Sequence, residues 1–132
     1  MLVADVADAE GLRLKAYQDS VGVWTIGYGT NLQELTIDEG LAEQWLLQKL
    51  AEAERDAQTF PWFADLTGRQ QRALVELVYN LGLTRLRKFR RTLAAMAKGD
   101  YEAARLGLLN SLWARQVGPT RSNRIADALR DG

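Results

Sequence analysis

Apolar residues recur at Leu2, Val3, Val6 and Ala9 and stop at Gly11, a spacing that predicts a short helix ended by glycine. From Leu12 to Tyr28 the pattern changes. Val21, Val23, Trp24, Thr25, Ile26 and Tyr28 are strand formers, and Asp19-Ser20-Val21-Gly22 supplies a turn, so two or three short antiparallel strands are expected. Thr36 to Glu39 (TIDE) reads as a capping box, with Leu41, Trp45, Leu46, Leu50, Ala53 and Ala57 following at helical spacing. This is the longest expected helix, closed by Phe60-Pro61-Trp62. A second box, Thr67 to Gln70 (TGRQ), opens an apolar face of Ala73, Leu74, Leu77, Val78 and Leu81 that stops at Gly82. Helical segments are expected near 85–90, 91–98, 101–110 and 120–131, the last entered through Gly118-Pro119.

These elements describe an α+β domain over residues 1–132. Residues 12–35 would form a small sheet lobe and 37–58 a connecting helix, with 1–11 and 60–132 making the helical lobe. A cleft between the lobes is the expected ligand site. Trp45, Trp62, Phe63, Phe89 and Trp113 fall where helix faces or their joints would bury them.

Composition narrows the chemistry. A chain of 132 residues, 47% apolar and 26% charged, suits one ordinary globular core. It has no cysteine and no histidine, which excludes disulfides, thiol nucleophiles, Cys/His zinc sites and any Ser-His-Asp triad. Acid–base work near neutral pH then falls to carboxylates, or to a perturbed Lys or Tyr. No cofactor or metal is expected. The opening MLVADVADAEG carries acids where an export signal would carry Lys or Arg, and no apolar run is long enough for a membrane span.

Charge is balanced overall but unevenly shared. Residues 1–66 hold 4 Lys/Arg against 12 Asp/Glu, and residues 67–132 hold 13 against 5. The basic half could meet nucleic acid, an anionic membrane or an anionic wall polymer, or could simply expose Arg on the solvent faces of helices.

The densest candidate chemistry is AEGLRLKAYQDSVGVWTIGYGTN, residues 9–31. Glu10 closes the first helix, Asp19 lies in the turn, and Thr25 follows on a strand. Two carboxylates are the minimal equipment for cleaving a glycosidic bond. On spacing alone, Glu10 is equally readable as a surface residue and Asp19 as a turn former. Gly27 and Gly29 weaken a strand and often mark close approach of a ligand or another backbone.

This segment strongly resembles the active-site stretch of the phage-type lysozymes, the T-even-like muramidases that serve as endolysins. Glu10, Gly11, Leu12, Asp19, Thr25, Ile26, Gly27 and Gly29 match the family pattern position by position. Leu77-Val78-Tyr79-Asn80-Leu81-Gly82, Phe89 with Thr92-Leu93, Gly99-Asp100-Tyr101-Glu102-Ala103-Ala104, Trp113, Arg121 and Arg124 resemble its later elements. The resemblance implies a lysozyme-like fold and hydrolysis of the β-1,4 bond between N-acetylmuramic acid and N-acetylglucosamine in peptidoglycan. It makes Glu10 the general acid, Asp19 the carboxylate that handles the attacking water, and Thr25 the holder of that water. Tyr79, Asn80 and Thr92 fall where the family lines its sugar subsites. Asn31 and Gly107 occupy two further binding positions with different side chains. Arg121 matches an Arg that approaches the catalytic Glu, so an ion pair with Glu10 is expected in the empty protein.

The chain departs from the family at Thr30, where many relatives have His, and in a shorter connection from Gly29 to the long helix. Three rival readings remain: a non-catalytic glycan-binding module, a lytic transglycosylase and a nucleic-acid-binding helical domain. The first would be expected to lose Glu10 or Asp19. The second has no use for Asp19 and Thr25, and the twelve acids of the first half oppose the third. Peptidoglycan strands are therefore the expected partner, with no nucleic acid, no stable membrane insertion and a monomeric state. The resemblance places such an enzyme in the host cytoplasm until a separate protein opens the membrane. A neutral hydroxyl beside Asp19 suits an oriented water better than a direct nucleophile, so inversion is the expected outcome.

Overall fold

The computed structural model describes residues 1–131 and divides into two compact units, Met1–Ala42 and Glu43–Gly132. The architecture is α+β, as expected.

In the first unit, helix α1 (Leu2–Glu10) ends where Gly11 takes a φ of 72° and donates its N–H to the Ala7 carbonyl. Three short strands follow: β1 (Arg13–Gln18), β2 (Trp24–Gly27) and β3 (Thr30–Asn31), antiparallel in the order β1-β2-β3. The register pairs Gln18 with Trp24 and Tyr17 with Thr25, and then shifts before Arg13 meets Gly27. Across the other edge of β2, Thr25 pairs with Asn31. The Arg13 guanidinium lies 4.7 Å from the centre of the Tyr17 ring, a cation–π contact on β1.

The long helix α2 (Glu39–Ala57) starts later than the TIDE pattern suggests. Asp38, not Thr36, caps it: the Asp38 carboxylate accepts the Leu41 N–H at 2.7 Å. Both residues are good caps in isolation, and the one standing just before the first helical residue satisfies the orphan amides. Ala53 and Ala57 near the end of α2 are buried, whereas Trp45 remains 47% exposed, so the core role expected for Trp45 does not hold.

The rest of the second unit is helical. A 3₁₀ turn (Phe63–Asp65) leads into α3 (Gly68–Leu81), then α4 (Leu83–Leu86), α5 (Arg90–Lys98), α6 (Tyr101–Leu109), α7 (Leu112–Val117) and α8 (Pro119–Asp131). Helix α7 was not expected: six residues leave too little periodicity to read, and only the Ser111 cap marks its start. The core gathers Leu74, Leu77, Leu86, Met96, Leu108, Ile125 and Leu129, all almost fully buried. Helix α8 packs on α3 and α6, and α5 packs on α6. Trp113 is buried in this core, with Trp62, Phe63 and Phe89 packed against it.

The TGRQ box forms as read. Thr67 accepts the Gln70 N–H, and Gln70 Oε1 accepts the Thr67 N–H at 3.0 Å. The other end of the same amide, Gln70 Nε2, donates to the Leu129 carbonyl at 2.8 Å. One buried side chain thus closes the start of α3 and ties α8 to it. Removing it strands a buried carbonyl, a loss of about 1–3 kcal/mol. Gln70→Ala should therefore lower the urea midpoint clearly more than Thr67→Ala, which removes only the cap, worth about 1 kcal/mol. Equal midpoints would show that the bridge to Leu129 contributes nothing.

Candidate active site

The expected catalytic residues all lie in the first unit, and backbone geometry positions each of them. Asp19 sits at the mouth of the β1–β2 hairpin. Its Oδ1 accepts the N–H groups of Val21 and Val23, both at 2.9 Å, which leaves Oδ2 for other work. The Asp19 N–H donates to the Val23 carbonyl at 2.9 Å, and the Gly22 N–H to the Asp19 carbonyl at 3.0 Å. Asp19 is therefore a turn former, as its spacing alone allowed, and the turn fixes one carboxylate oxygen while freeing the other. Thr25 is buried on β2, and its hydroxyl donates to that same Val23 carbonyl at 2.9 Å. Val23 thereby ties Asp19 and Thr25 together through one residue's backbone. A hydroxyl that spends its proton on a carbonyl keeps its oxygen as an acceptor.

Glu10, the last residue of α1, lies against Gly29. A Cβ built at position 29 would stand 2.5 Å from Glu10 Oε2, and Gly29 has a φ of +81°, where side chains are strained. Of the two glycines suspected of marking a close approach, Gly29 does so, against the Glu10 carboxyl, whereas a Cβ at Gly27 would meet nothing within 4 Å. Asn31 is opposite Thr25 across the β2–β3 pairing, with its Oδ1 accepting the Gln33 N–H at 2.9 Å. That bond leaves the Asn31 amide nitrogen as a donor.

The remaining candidates lie in the second unit and divide between two cavities. Tyr79 and Arg121 line one of about 750 Å³, together with Glu76 and an apolar wall that includes Leu46, Leu50 and Val75. Thr92 lines another of about 690 Å³ with Gly107, Trp113 and several cations. A Cβ at Gly107 would come within 2.8 Å of Thr92 Oγ1, so only a glycine there leaves room for that buried hydroxyl. Asn80 joins this second group through Trp113, whose indole Nε1 donates to Asn80 Oδ1 at 2.7 Å. The indole can only donate, which turns the carbonyl end of Asn80 toward it and the amide nitrogen away.

Arg121 has a partner the sequence reading missed. Its Nε donates to Glu76 Oε2 at 3.0 Å, where Glu10 was the expected partner. Arg124 grips the same carboxylate with two nitrogens, at 2.9 and 2.7 Å. The Arg124 hydrogen bonds pull the Glu76 pKa below its ordinary value; partial burial opposes this, and Arg121 adds to the lowering. One signal was available: Glu76 is the only acid between Thr67 and Gly99.

The family model for phage lysozyme matches residues 7–125. The chain belongs to the phage lysozyme family. The family match covers Glu10, Asp19 and Thr25 in the first unit, and Tyr79, Asn80, Thr92 and Arg121 in the second. An endolysin of Acyrthosiphon pisum secondary endosymbiont phage 1 is 36% identical over 103 residues, covering 72% of this chain and 66% of that protein. The pre-baseplate central spike protein Gp5 of Enterobacteria phage T4 is 26% identical, and the match takes in 93% of this chain but 26% of the spike protein. A probable T4-type lysozyme 1 of Dictyostelium discoideum is 23% identical, with 93% of this chain and 89% of that protein covered. Thus this phage-lysozyme chain spans about two thirds of the first relative and about a quarter of the second.

Glu76 gives a pH test. Its folded pKa is depressed, so the stabilisation is complete above the unfolded value and is lost as acid protonates the folded carboxylate. The pair is partly exposed, which limits its worth to about 1 kcal/mol or less. Glu76→Gln should be less stable than the parent near neutral pH, and urea curves of the two proteins should converge as pH falls below the carboxylate range. A gap that persists unchanged in acid would assign the stabilisation to packing instead.

Proposed function

We propose that this chain is a muramidase of the endolysin type, cleaving the β-1,4 bond between N-acetylmuramic acid and N-acetylglucosamine in bacterial peptidoglycan. The observation that carries this reading is the Val23 link: one backbone residue holds a carboxylate with a free oxygen and a hydroxyl with free lone pairs. A water donating one proton to Asp19 Oδ2 and the other to Thr25 Oγ1 presents its own lone pair to the sugar carbon. Glu10 gives its proton to the departing glycosidic oxygen. The C–O bond to that oxygen breaks as the water oxygen bonds to the same carbon from the opposite face, and the released proton passes to Asp19. The carbon is thereby inverted. Asn31, Tyr79, Asn80, Thr92 and Arg121 are read as sugar-binding groups, with amide and hydroxyl donors suited to N-acetyl and hydroxyl oxygens. The names endolysin and T4-type lysozyme among the relatives support this reading, and the proposal includes a monomer that acts on the wall after another protein has opened the host membrane.

General acid catalysis contributes about 10²–10⁴-fold, and Glu10→Gln removes the acid while keeping the shape. The folded variant should clear peptidoglycan suspensions at least about a hundredfold more slowly than the parent. Clearance at the parental rate would end the assignment. Mass analysis of the fragments sorts the rivals: reducing ends mean hydrolysis, anhydro ends mean transglycosylation, and intact sacculi mean binding alone.

Stereochemistry tests Asp19 separately. An inverting site leaves about 6.5–9.5 Å between its carboxyls for a water, whereas a retaining one closes them to about 5–5.5 Å. Proton NMR of the first-formed product should show the α-anomer before mutarotation. Initial β-anomer would make Asp19 a nucleophile and leave the Thr25 hydroxyl without a role.

A further inference from the structure

The cavity that holds Thr92 is bordered by Arg85, Lys88, Arg90 and Arg91, and no acid lines it. All four cations are exposed, and among the described residues none of them has a carboxylate in salt-bridge range. The sequence sharpens the point: residues 83–99 carry six Lys or Arg and no Asp or Glu. Elsewhere in the second unit several arginines are paired, as Arg105 is with Glu102 and Asp127, or Arg121 and Arg124 with Glu76. Four like charges around one concavity repel one another, and a bound anion relieves that repulsion. The rest of the lining is uncharged: Phe89, Leu112 and Trp113 are apolar or aromatic, and Asn110, Ser111 and Gln116 can donate or accept.

We infer that this cavity reads negative charge on the peptide stems of the wall polymer and favours stems with free carboxylates over amidated ones. The inference rests on the muramidase reading and adds a selectivity to it. N-acetyl sugars carry no charge once the lactyl group is joined to peptide, so the glycan alone gives these cations nothing to meet. Stem carboxylates are the anions attached beside it. Arginine forks match carboxylates in two-point geometry, and Arg90 and Arg91 are the first two residues of α5, immediately before Thr92. The selectivity is electrostatic and sits at an exposed rim, so it should appear mainly in KM and weaken with salt.

The test uses two preparations of the same glycan, one with free-acid stems and one with amidated stems. At low ionic strength the protein should cleave the free-acid polymer with a kcat/KM larger by a factor on the order of ten, since each exposed pair contributes a few-fold. Arg90→Gln/Arg91→Gln should bring that ratio close to one, Arg90→Lys/Arg91→Lys should restore most of it, and added salt should erase it in the parent. Equal cleavage of the two polymers by the parent at low salt overturns the inference and leaves the muramidase reading standing. A ratio unchanged in the glutamine variant also overturns it. Isolated stem peptides, free-acid and amidated, titrated against the protein give a readout that does not require cleavage. If neither polymer is cut but the free-acid stem binds more tightly, the charge reading survives and the muramidase reading fails. Stronger binding to duplex DNA or to phosphatidylglycerol vesicles than to the free-acid stem would assign the cations to another partner and overturn it.

Discussion

The candidate chemistry hangs on one carboxylate oxygen. Asp19 Oδ1 accepts two backbone N–H groups, and the hairpin closed by those bonds sets the pairing of β1 with β2. The pairing puts Thr25 opposite Tyr17 on one side and Asn31 on the other. A chain with no histidine has no imidazole to orient a water; in the proposed reaction a fixed carboxylate and a fixed hydroxyl take that place. Their fixing comes from main-chain atoms of Val23, which no substitution at that position other than proline removes. Gly29 acts on the other carboxyl by having no Cβ, so that Glu10 can lie where a side chain would stand.

The second unit solves a different problem, that of holding many cations on a small helical core. Helix α8 packs its Ile125, Ala126 and Leu129 inward and turns Arg121 and Arg124 to a single acid, Glu76. That acid absorbs two of the unit's positive charges. The cations of α4 and α5 are given no such partner, so the same excess of Arg is structural at one place and unspent at another. The distinction comes from which helix faces the chain packs together: α3, which carries Glu76, packs against α8, which carries Arg121 and Arg124.

Much of this was legible in the residues. The glycine stops at Gly11 and Gly82, the Thr67–Gln70 box and the strand-rich stretch around Trp24 are local signals, and each formed close to where it was read. Local signals failed where two neighbours could both do the job. Asp38 displaced Thr36 as the cap of α2 because capping depends on which residue stands beside the first helical turn. Helix α7 was too short to show a period. Trp45 carried the helical spacing of a core residue and remains half exposed, since spacing gives a face and says nothing of what covers it.

The sequence by itself determined the fold class and, through the resemblance carried by residues 9–31, the family, and its lack of cysteine and histidine removed thiol and imidazole chemistry. It raised Gly29 as a place of close approach, while the positive φ there and the Glu10 carboxyl against it are facts of the fold. Tertiary structure alone decided who meets whom. The Gln70 link to Leu129 spans 59 positions, the Trp113 link to Asn80 spans 33, and the Glu76 links to Arg121 and Arg124 span 45 and 48. Contacts at such separations leave no periodic trace along a single chain, because they depend on how helices pack, and packing is settled by shape and burial summed over the whole core.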